Sequence, residues 1–201
     1  MRTIGKLMLL PLLVLLAGGC SKAPVVEEGT ATQAMTTAEQ SEASKYAPAE
    51  WQMAKDTLEA AKAEKLNQDG KFALFRSYGK SKGMFERAAV LAAQAESVAK
   101  VEMERVRQET EALLLQVQTE LDSLAAMLVT LPAGKDTKAE LELMKQDVAA
   151  FQQQLQAAQA DFARRDYQTA KSKAMAVADK ANAMRTSLDA VMAKTGKRRS
   201  A

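Results

Sequence analysis

The chain has 201 residues, with 28 Lys and Arg, 25 Asp and Glu, one cysteine and no histidine. Without histidine it lacks the commonest protein metal ligand and the usual general base, and its nearly balanced charge argues against a nucleic-acid surface. Hydrophobic residues make up 47% of the chain but aromatic residues only 4%, so we expect thin helical packing, no catalytic residues, no metal site and no cofactor.

The amino-terminal segment has the layout of a secretory signal. Arg2 and Lys6 form a short basic head, residues 7–19 form an apolar stretch, and small residues stand immediately before Cys20. This stretch is shorter than the roughly 20 apolar residues that a membrane span needs. We therefore predict that residues 1–19 are a signal peptide that is removed.

Residues 16–20, Leu-Ala-Gly-Gly-Cys, resemble the lipobox of bacterial lipoproteins, with Ala17 where that family usually has Leu. The resemblance implies that Cys20 becomes the new amino terminus and carries two or three acyl chains such as palmitate. Several chains would hold the protein on a membrane, because each buried CH₂ contributes about 0.8 kcal/mol. Ser21 follows the cysteine, which in this family implies the outer membrane, facing the periplasm. An ordinary signal peptide with a chance cysteine is the alternative.

The mature chain is expected to be all-α, because glycine and proline are few after Cys20. We assign residues 20–30 to the lipidated cysteine and a short tether. Residues 31–131 are assigned to a first helical hairpin that contains one long central helix. The expected architecture is one of elongated antiparallel hairpins, in a coiled-coil bundle around that helix.

A helix is predicted to begin at Pro48, because proline suits the first helical turn, where its missing N–H has no partner to lose. Residues that share one helical face then follow at steps of 3, 4 and 3: Trp51, Ala54, Leu58 and Ala61. This helix should end near Asn67, since the sequence NQDG supplies a turn with Gly70 as its permissive residue.

The long helix is predicted to run from Lys71 to Leu131. Its second half has apolar residues at alternating steps of 3 and 4: Leu114, Val117, Leu121, Leu124, Leu128 and Leu131. This spacing is typical of a coiled-coil seam. Such a seam can pair within the chain or with a second copy, so a homo-oligomer through this segment stays open.

Pro132 and Gly134 make the sharpest stop in the chain. A C-terminal helical hairpin is predicted over residues 132–195, with helices at 138–164 and 167–194. Residues 196–201 are assigned to a basic tail that has too little apolar content to pack.

Two stretches of the sequence repeat. Residues 58–64 align with residues 155–161 at an offset of 97, with four identities in seven. A second set aligns at an offset of 95: Phe72, Phe75, Gly79 and Gly83 with Tyr167, Ala170, Ala174 and Ala178. Because small residues four apart admit a close helix, Gly79 and Gly83 are expected where helix 48–67 packs. Duplication and chance similarity both remain open.

Aromatic residues cluster between positions 46 and 85: Tyr46, Trp51, Phe72, Phe75, Tyr78 and Phe85. Their helical spacing favours a buried core, since Phe72, Phe75 and Gly79 share one face of the expected helix. The alternative is a docking patch, for which Tyr46 and Trp51 are the candidate partner contacts.

The segment KYAPAEW, residues 45–51, followed by small and apolar residues at helical spacing, resembles the bacterial lipoproteins grouped as domain of unknown function 4398. The resemblance covers about residues 30–110, and Trp51 stands where that family usually has Leu. It implies an envelope-anchored helical protein without known catalysis.

These observations together lead us to expect a membrane-anchored envelope lipoprotein that is not an enzyme. It would serve as a helical scaffold or adaptor that contacts another envelope protein or the cell wall. The alternative is a periplasmic carrier or regulator that binds a peptide or cell-wall fragment in a groove between helices. The sequence itself names no partner.

Overall fold

The computed structural model describes residues 22–131 and 137–199, with side chains as far as residue 193. Within these ranges every regular element is a helix, which confirms the predicted all-α fold with one long helix. The six α-helices and one short 3₁₀ helix are α1 Val25–Gln40, α2 Ala43–Tyr46, α3 Pro48–Asp69, the 3₁₀ helix Ala73–Phe75, α4 Gly79–Thr130, α5 Lys138–Ala163 and α6 Tyr167–Arg199.

The described residues divide into two compact units, with the boundary between Glu102 and Met103. The boundary falls inside α4, whereas the sequence suggested a boundary at residue 132. The reason is that α5 and α6 bury their apolar faces on the second half of α4, so this half packs with them. The long helix therefore serves both units, with helices packed on each of its halves.

The core of the first unit is built mainly from alanine. Its buried residues come from α1, α3 and the first half of α4: Ala31, Met35, Ala54, Leu58, Ala61, Phe85, Ala88 and Ala92. Phe85 is the largest of them and is fully buried. Because small side chains leave little between the helices, the helix axes approach closely and the core is thin, as composition predicts.

Helix α1 begins at Val25, so half of the predicted tether is folded helix. Glu27 lies 3.0 Å from the ammonium of Lys82, and Glu28 lies 2.6 Å from that of Lys65. These ion pairs join the first turn of α1 to α3 and α4. Sequence pattern could not show this, because the partners are distant along the chain.

A folded loop over residues 70–78 separates α3 from α4, so the long helix begins at Gly79 and not at Lys71. Arg76 donates to the backbone carbonyls of Lys71 and Asp69, at 2.9 Å each. The backbone N–H of Ser77 donates to Oε1 of Gln68 at 3.1 Å. These hydrogen bonds give the backbone N–H and C=O groups partners that a helix would otherwise supply. The segment can therefore form a loop, although its apolar residues have the spacing of a helical face.

The two glycines at the start of α4 do not mark a close helix approach. Gly79 and Gly83 are exposed, and a Cβ added at either position would meet nothing within 4 Å. The buried face of this part of α4 passes instead through Ser81 and Phe85. The predicted role of the glycines was therefore wrong, because it assigned the wrong face of α4 to the interior.

The second unit is packed around the predicted seam. Leu121 and Leu124 are fully buried, and the seam contacts apolar residues of α5 and α6, among them Leu155 and Leu188. The apolar face of the seam is thus covered by helices of the same chain. Its apolar spacing therefore does not require a second copy.

Polar contacts fasten α6 to α4 in the second unit. Lys171 lies 2.6 Å from the carboxylate of Glu109, and Arg185 pairs with Glu120. The break between α5 and α6 is confirmed at the predicted place, where Arg165 takes a left-handed backbone conformation with φ 67°. The α5–α6 hairpin is therefore closed by a short turn, as the sequence predicts.

The burial pattern agrees with the first repeated stretch and differs from the second. Leu58 and Ala61 of α3 are buried like Leu155 and Ala158 of α5, at the predicted offset of 97. The following helices correspond at an offset of 89, from Tyr78 to Tyr167, and not at 95. At this offset the buried positions Ser81, Phe85, Ala88, Ala92, Ala95 and Ala99 match Ala170, Ala174, Val177, Ala181, Met184 and Leu188. The first copy therefore has eight more residues between the matched positions of its two helices, and most of them lie in the 70–78 loop, which has nine residues where the second copy has three.

By length and composition, α4 is the one helix among the described residues that could cross a membrane. Its apolar stretch contains the seam residues Leu121 and Leu124, which are buried against α5 and α6. N-terminal to that stretch, Arg107 pairs with Glu104 and Glu111 on the helix surface. We therefore interpret α4 as a packing helix.

Candidate functional site: an apolar end of the first unit

The residues singled out from sequence lie in three different environments. Cys20 lies outside the described residues. Tyr46 is only 3% exposed, so its ring is part of the interior and offers no contact surface. Trp51 is half-buried and packs against the core of the first unit. Tyr46 therefore adds no exposed surface to the predicted docking patch, and a partner contact at Trp51 stays a prediction.

The largest side chains on the surface of the first unit lie in the 70–78 loop. Phe72, Leu74 and Phe75 are 69%, 63% and 75% exposed. The two phenylalanine rings lie 6.3 Å apart, tilted by 51°. We call Phe72, Leu74 and Phe75 the loop patch. It corrects the prediction that both phenylalanines belong to the core.

Hydrogen bonds hold in place the loop that carries the loop patch. The Tyr78 hydroxyl donates to the carboxylate of Asp69, and this hydrogen bond raises the pKa of Tyr78. Arg76 crosses the loop with its two bonds to backbone carbonyls. Because the side chains below it are bonded or buried, the loop presents its apolar residues in a defined arrangement.

The loop patch lies at the same end of the first unit as the start of α1. The pairs Glu28–Lys65 and Glu27–Lys82 place the first turn of α1 beside the last turns of α3 and the first turn of α4. Val25 and Val26 are 66% and 78% exposed there, whereas Pro24 is buried. We call this region, the loop patch with Val25 and Val26, the apolar end.

Cationic side chains surround the apolar end. Lys71 donates to the amide oxygen of Gln68 at 3.1 Å, and Arg76 donates to backbone carbonyls, so both bind neutral oxygens. Lys22 is exposed just before α1. The ammonium of Lys80 forms an ion pair with the carboxylate of Glu64 at 3.3 Å. Four carboxylates, Glu27, Glu28, Glu64 and Asp69, lie at the same end, so this end carries a small excess of cations over carboxylates.

Several carboxyl groups are held in the ionised form by hydrogen bonds. The pKa values of Glu64, Glu104 and Glu109 lie below the ordinary range because hydrogen bonds from Gln68, Arg107 and Lys171, respectively, stabilise the charged form. For Glu104 the pKa falls to about 2. A general acid needs a raised pKa, so these three groups are not suited to that role. Glu109 and Glu64 instead pair with Lys171 of α6 and Lys80 of α4, and Glu104 pairs within α4. Among the described residues no group of three or more metal-ligating side chains occurs.

The second unit carries an open groove between α5 and α6, with a volume of about 390 Å³. Leu143, Met144 and Phe151 line one side and Met184 the other. Lys180 lies 5.9 Å from the centre of the Phe151 ring. This groove is the feature of the second unit that best suits an extended apolar ligand.

Sequence reasoning missed the loop patch because Phe72 and Phe75 have the spacing of a helical face. Two signals could have pointed to it. Gly70 and Gly79 bracket the segment, which is typical of a loop. The hairpin of α5 and α6 also needs only residues 164–166 for its turn, so the longer first loop contains residues that closure does not require.

Known proteins provide no relative from which a role could be transferred. No protein-family model, curated protein or solved structure matches the chain. The features that bear on its function are therefore the predicted leader, the fold and the apolar end.

Proposed function

We propose that this chain is an envelope lipoprotein, held on a membrane by acyl chains on Cys20, that acts as a non-catalytic helical scaffold or adaptor. The observation that carries the proposal is the position of its single cysteine. Cys20 ends a lipobox-like sequence and stands two residues before Lys22, where the described chain begins. A cysteine there serves as an anchor, since it has no second cysteine to pair with and no histidine to activate it.

The location follows from the same segment. Ser21 after the cysteine favours the outer membrane, with the folded units facing the periplasm. The resemblance of residues 45–51 to the domain of unknown function 4398 lipoproteins points to the same setting. In that setting the partner is another envelope protein or the cell wall.

Action by contact is supported by the surface of the units. Exposed apolar side chains stand singly on several helices, for example Val90, Leu115 and Met175. Ionised carboxylates such as Glu104 pair with cations along the same surface. Helical faces that carry both apolar side chains and ion pairs are suited to docking a protein partner. Catalysis instead requires a concave site that contains groups with shifted pKa values.

The proposal is tested by photo-crosslinking in living cells. A photoreactive amino acid is introduced at the exposed positions Val90, Leu115 and Met175, with the buried Leu121 as the matched control. We expect one or a few envelope components to be captured from neighbouring exposed positions and none from the control. Capture should disappear with Cys20→Ala, which removes the anchor.

An enzymatic role would give the opposite pattern in mutagenesis. Substitutions of single exposed carboxylates, such as Glu104→Gln, should leave function intact. Loss of function from one such change, with stability and membrane attachment preserved, would contradict action by contact.

The α5–α6 groove supports the second candidate function, a carrier for a peptide or cell-wall fragment. In that case Phe151→Ala should abolish ligand binding, because this ring forms the groove wall opposite Met184. Leu115→Ala, on α4 outside the groove lining, is the matched control. Calorimetric titration with cell-wall peptides tests the carrier function, because binding in the groove should be lost with Phe151→Ala and kept with Leu115→Ala, whereas a contact outside the groove should respond equally to both.

A further inference from the structure

We infer that the apolar end of the first unit inserts into the headgroup region of the same membrane that holds the acyl chains. Phe72, Leu74 and Phe75 would enter the boundary between headgroups and acyl chains, with Val25 and Val26 beside them. This inference rests on the proposed function, because the anchor on Cys20 is what brings this end of the unit to the bilayer.

The first step concerns reach. Cys20 lies two residues before Lys22, and two residues span at most about 7 Å. Helix α1 starts three residues after Lys22, at Val25. The acyl chains are therefore attached close to the start of α1, and the ion pairs Glu27–Lys82 and Glu28–Lys65 fix the neighbouring ends of α3 and α4 there. An acylated Cys20 would hold this end of the unit near the lipid surface.

The second step concerns the side chains that this end presents. Three large apolar residues within four positions of the loop are mostly exposed: Phe72, Leu74 and Phe75. Such a patch marks an interaction site in a stable protein. The corresponding turn of the second unit is Arg164-Arg165-Asp166, which is wholly polar. A turn between two such helices therefore does not require large apolar residues, and of these two described turns the one near the proposed anchor has them.

The third step concerns charge. Lys22 precedes α1, and Lys71, Arg76 and Lys80 lie in or next to the loop, where Lys80 pairs with Glu64 and the cations exceed the carboxylates by a small number. Cations beside exposed apolar side chains suit a bilayer, where headgroup phosphates lie directly above hydrocarbon. Phenylalanine and leucine can enter this boundary without bringing polar groups that would lose hydrogen bonds there. A bilayer therefore fits both the apolar residues and the cations that surround them.

The chain offers a clean labelling experiment, because Cys20 is its only cysteine and an acylated sulfur does not react with thiol reagents. The variants are Phe75→Cys and, as the matched control, Leu115→Cys, in the full chain processed by the cell. Positions 75 and 115 are similarly exposed, at 75% and 67%. Each protein is labelled with a polarity-sensitive fluorophore and reconstituted into vesicles of phosphatidylethanolamine and phosphatidylglycerol.

We expect the label at position 75 to shift to shorter wavelength, to be quenched by brominated acyl chains and to be shielded from iodide. The label at position 115 should show none of these changes. Equal iodide quenching at both positions, with both proteins bound to vesicles, would overturn the inference and leave the anchor intact. Shielding at position 75 in native membranes but not in pure lipid vesicles would also overturn it, because a protein partner would then cover the patch.

The parent chain without an introduced cysteine separates the two proposals. If Cys20 is acylated, the parent takes up no label and stays with the vesicles. Labelling of the parent at Cys20, together with loss of vesicle binding, would contradict the proposed function itself. It would also remove the basis of the insertion.

Discussion

Aromatic side chains of the first unit occupy two opposite environments. Phe85 is fully buried in the alanine-rich core, whereas Phe75 is 75% exposed in the loop patch. The two residues have the same chemistry and lie ten positions apart, so their substitutions form a matched pair.

We predict that Phe85→Ala lowers the free energy of unfolding by about 3–5 kcal/mol, because it leaves a cavity among small side chains that cannot close it. Phe75→Ala should change the same free energy by no more than about 0.5 kcal/mol. Urea denaturation followed by circular dichroism measures both. A large loss from Phe75→Ala would place that ring in a core.

Acid should weaken the attachment of α6 to α4. The Lys171 ammonium donates to the Glu109 carboxylate, so the folded protein holds the pKa of Glu109 below its ordinary value of 4.5. A lowered folded-state pKa gives stability that is present above the ordinary value and is lost as the pH falls through the lowered value.

We therefore predict that Glu109→Gln destabilises the protein at pH 7 and makes little difference near pH 2. Thermal melting of the variant and the parent across this range provides the measurement. Glu59→Gln, at an exposed position on α3, is the control. An effect of Glu109→Gln that grows as the pH falls would have the wrong sign.

Residue burial could be predicted where regular helix continues and not where tertiary contacts replace it. Leu121 and Leu124 are buried because the seam lies in uninterrupted helix. Phe72 and Phe75 have similar spacing but lie in a loop that Arg76 and Gln68 hold in place. Those bonds depend on the folded ends of α3, and a residue spacing does not encode them.

At the level of the helix, the α4 seam is the feature of the second unit whose burial the sequence predicts most clearly. Leu124 is fully buried between α5 and α6, and Leu115 on the same helix is 67% exposed. We predict that Leu124→Asp lowers stability by about 3–5 kcal/mol, because it buries an unpaired charge. Leu115→Asp should be nearly neutral, and equal urea midpoints for the two variants would refute the seam.

The glycines of α4 provide a test of helix packing in the first unit. Gly83 lies inside the helix with open space where a side chain would stand. Alanine loses less backbone freedom on folding, so Gly83→Ala should stabilise the protein by about 0.5–1 kcal/mol. A lower melting temperature would show that a helix packs closely there, as the sequence alone suggested.

Helix limits were predictable where the chain carries its own stop signals. Pro48 begins α3 and Arg165 lies between α5 and α6, as the sequence indicates. The starts of α1 and α4 were predicted wrongly, because α1 is extended by ion pairs from Glu27 and Glu28. The start of α4 is delayed by the loop bonds of Arg76. In both cases a contact between distant segments outweighs local preference.

For the whole molecule, anchor and surface are proposed to act together. In this proposal the folded units would provide helical faces for a partner, and acyl chains on Cys20 would keep these faces at the membrane. The leader is a prediction that sequence alone can make, because the lipobox-like motif is contiguous. The apolar end could not be predicted in this way, because it combines residues from α1 and from the loop before α4.

The most direct test of the anchor is mass spectrometry of the protein purified from membranes. We predict an amino-terminal peptide that begins at Cys20, lacks residues 1–19 and carries the added mass of two or three acyl chains. Cys20→Ala should instead give an unprocessed chain or one released from the membrane. A mature amino terminus at another residue, or an unmodified Cys20 thiol in protein that stays membrane-bound, would contradict the proposed lipoprotein.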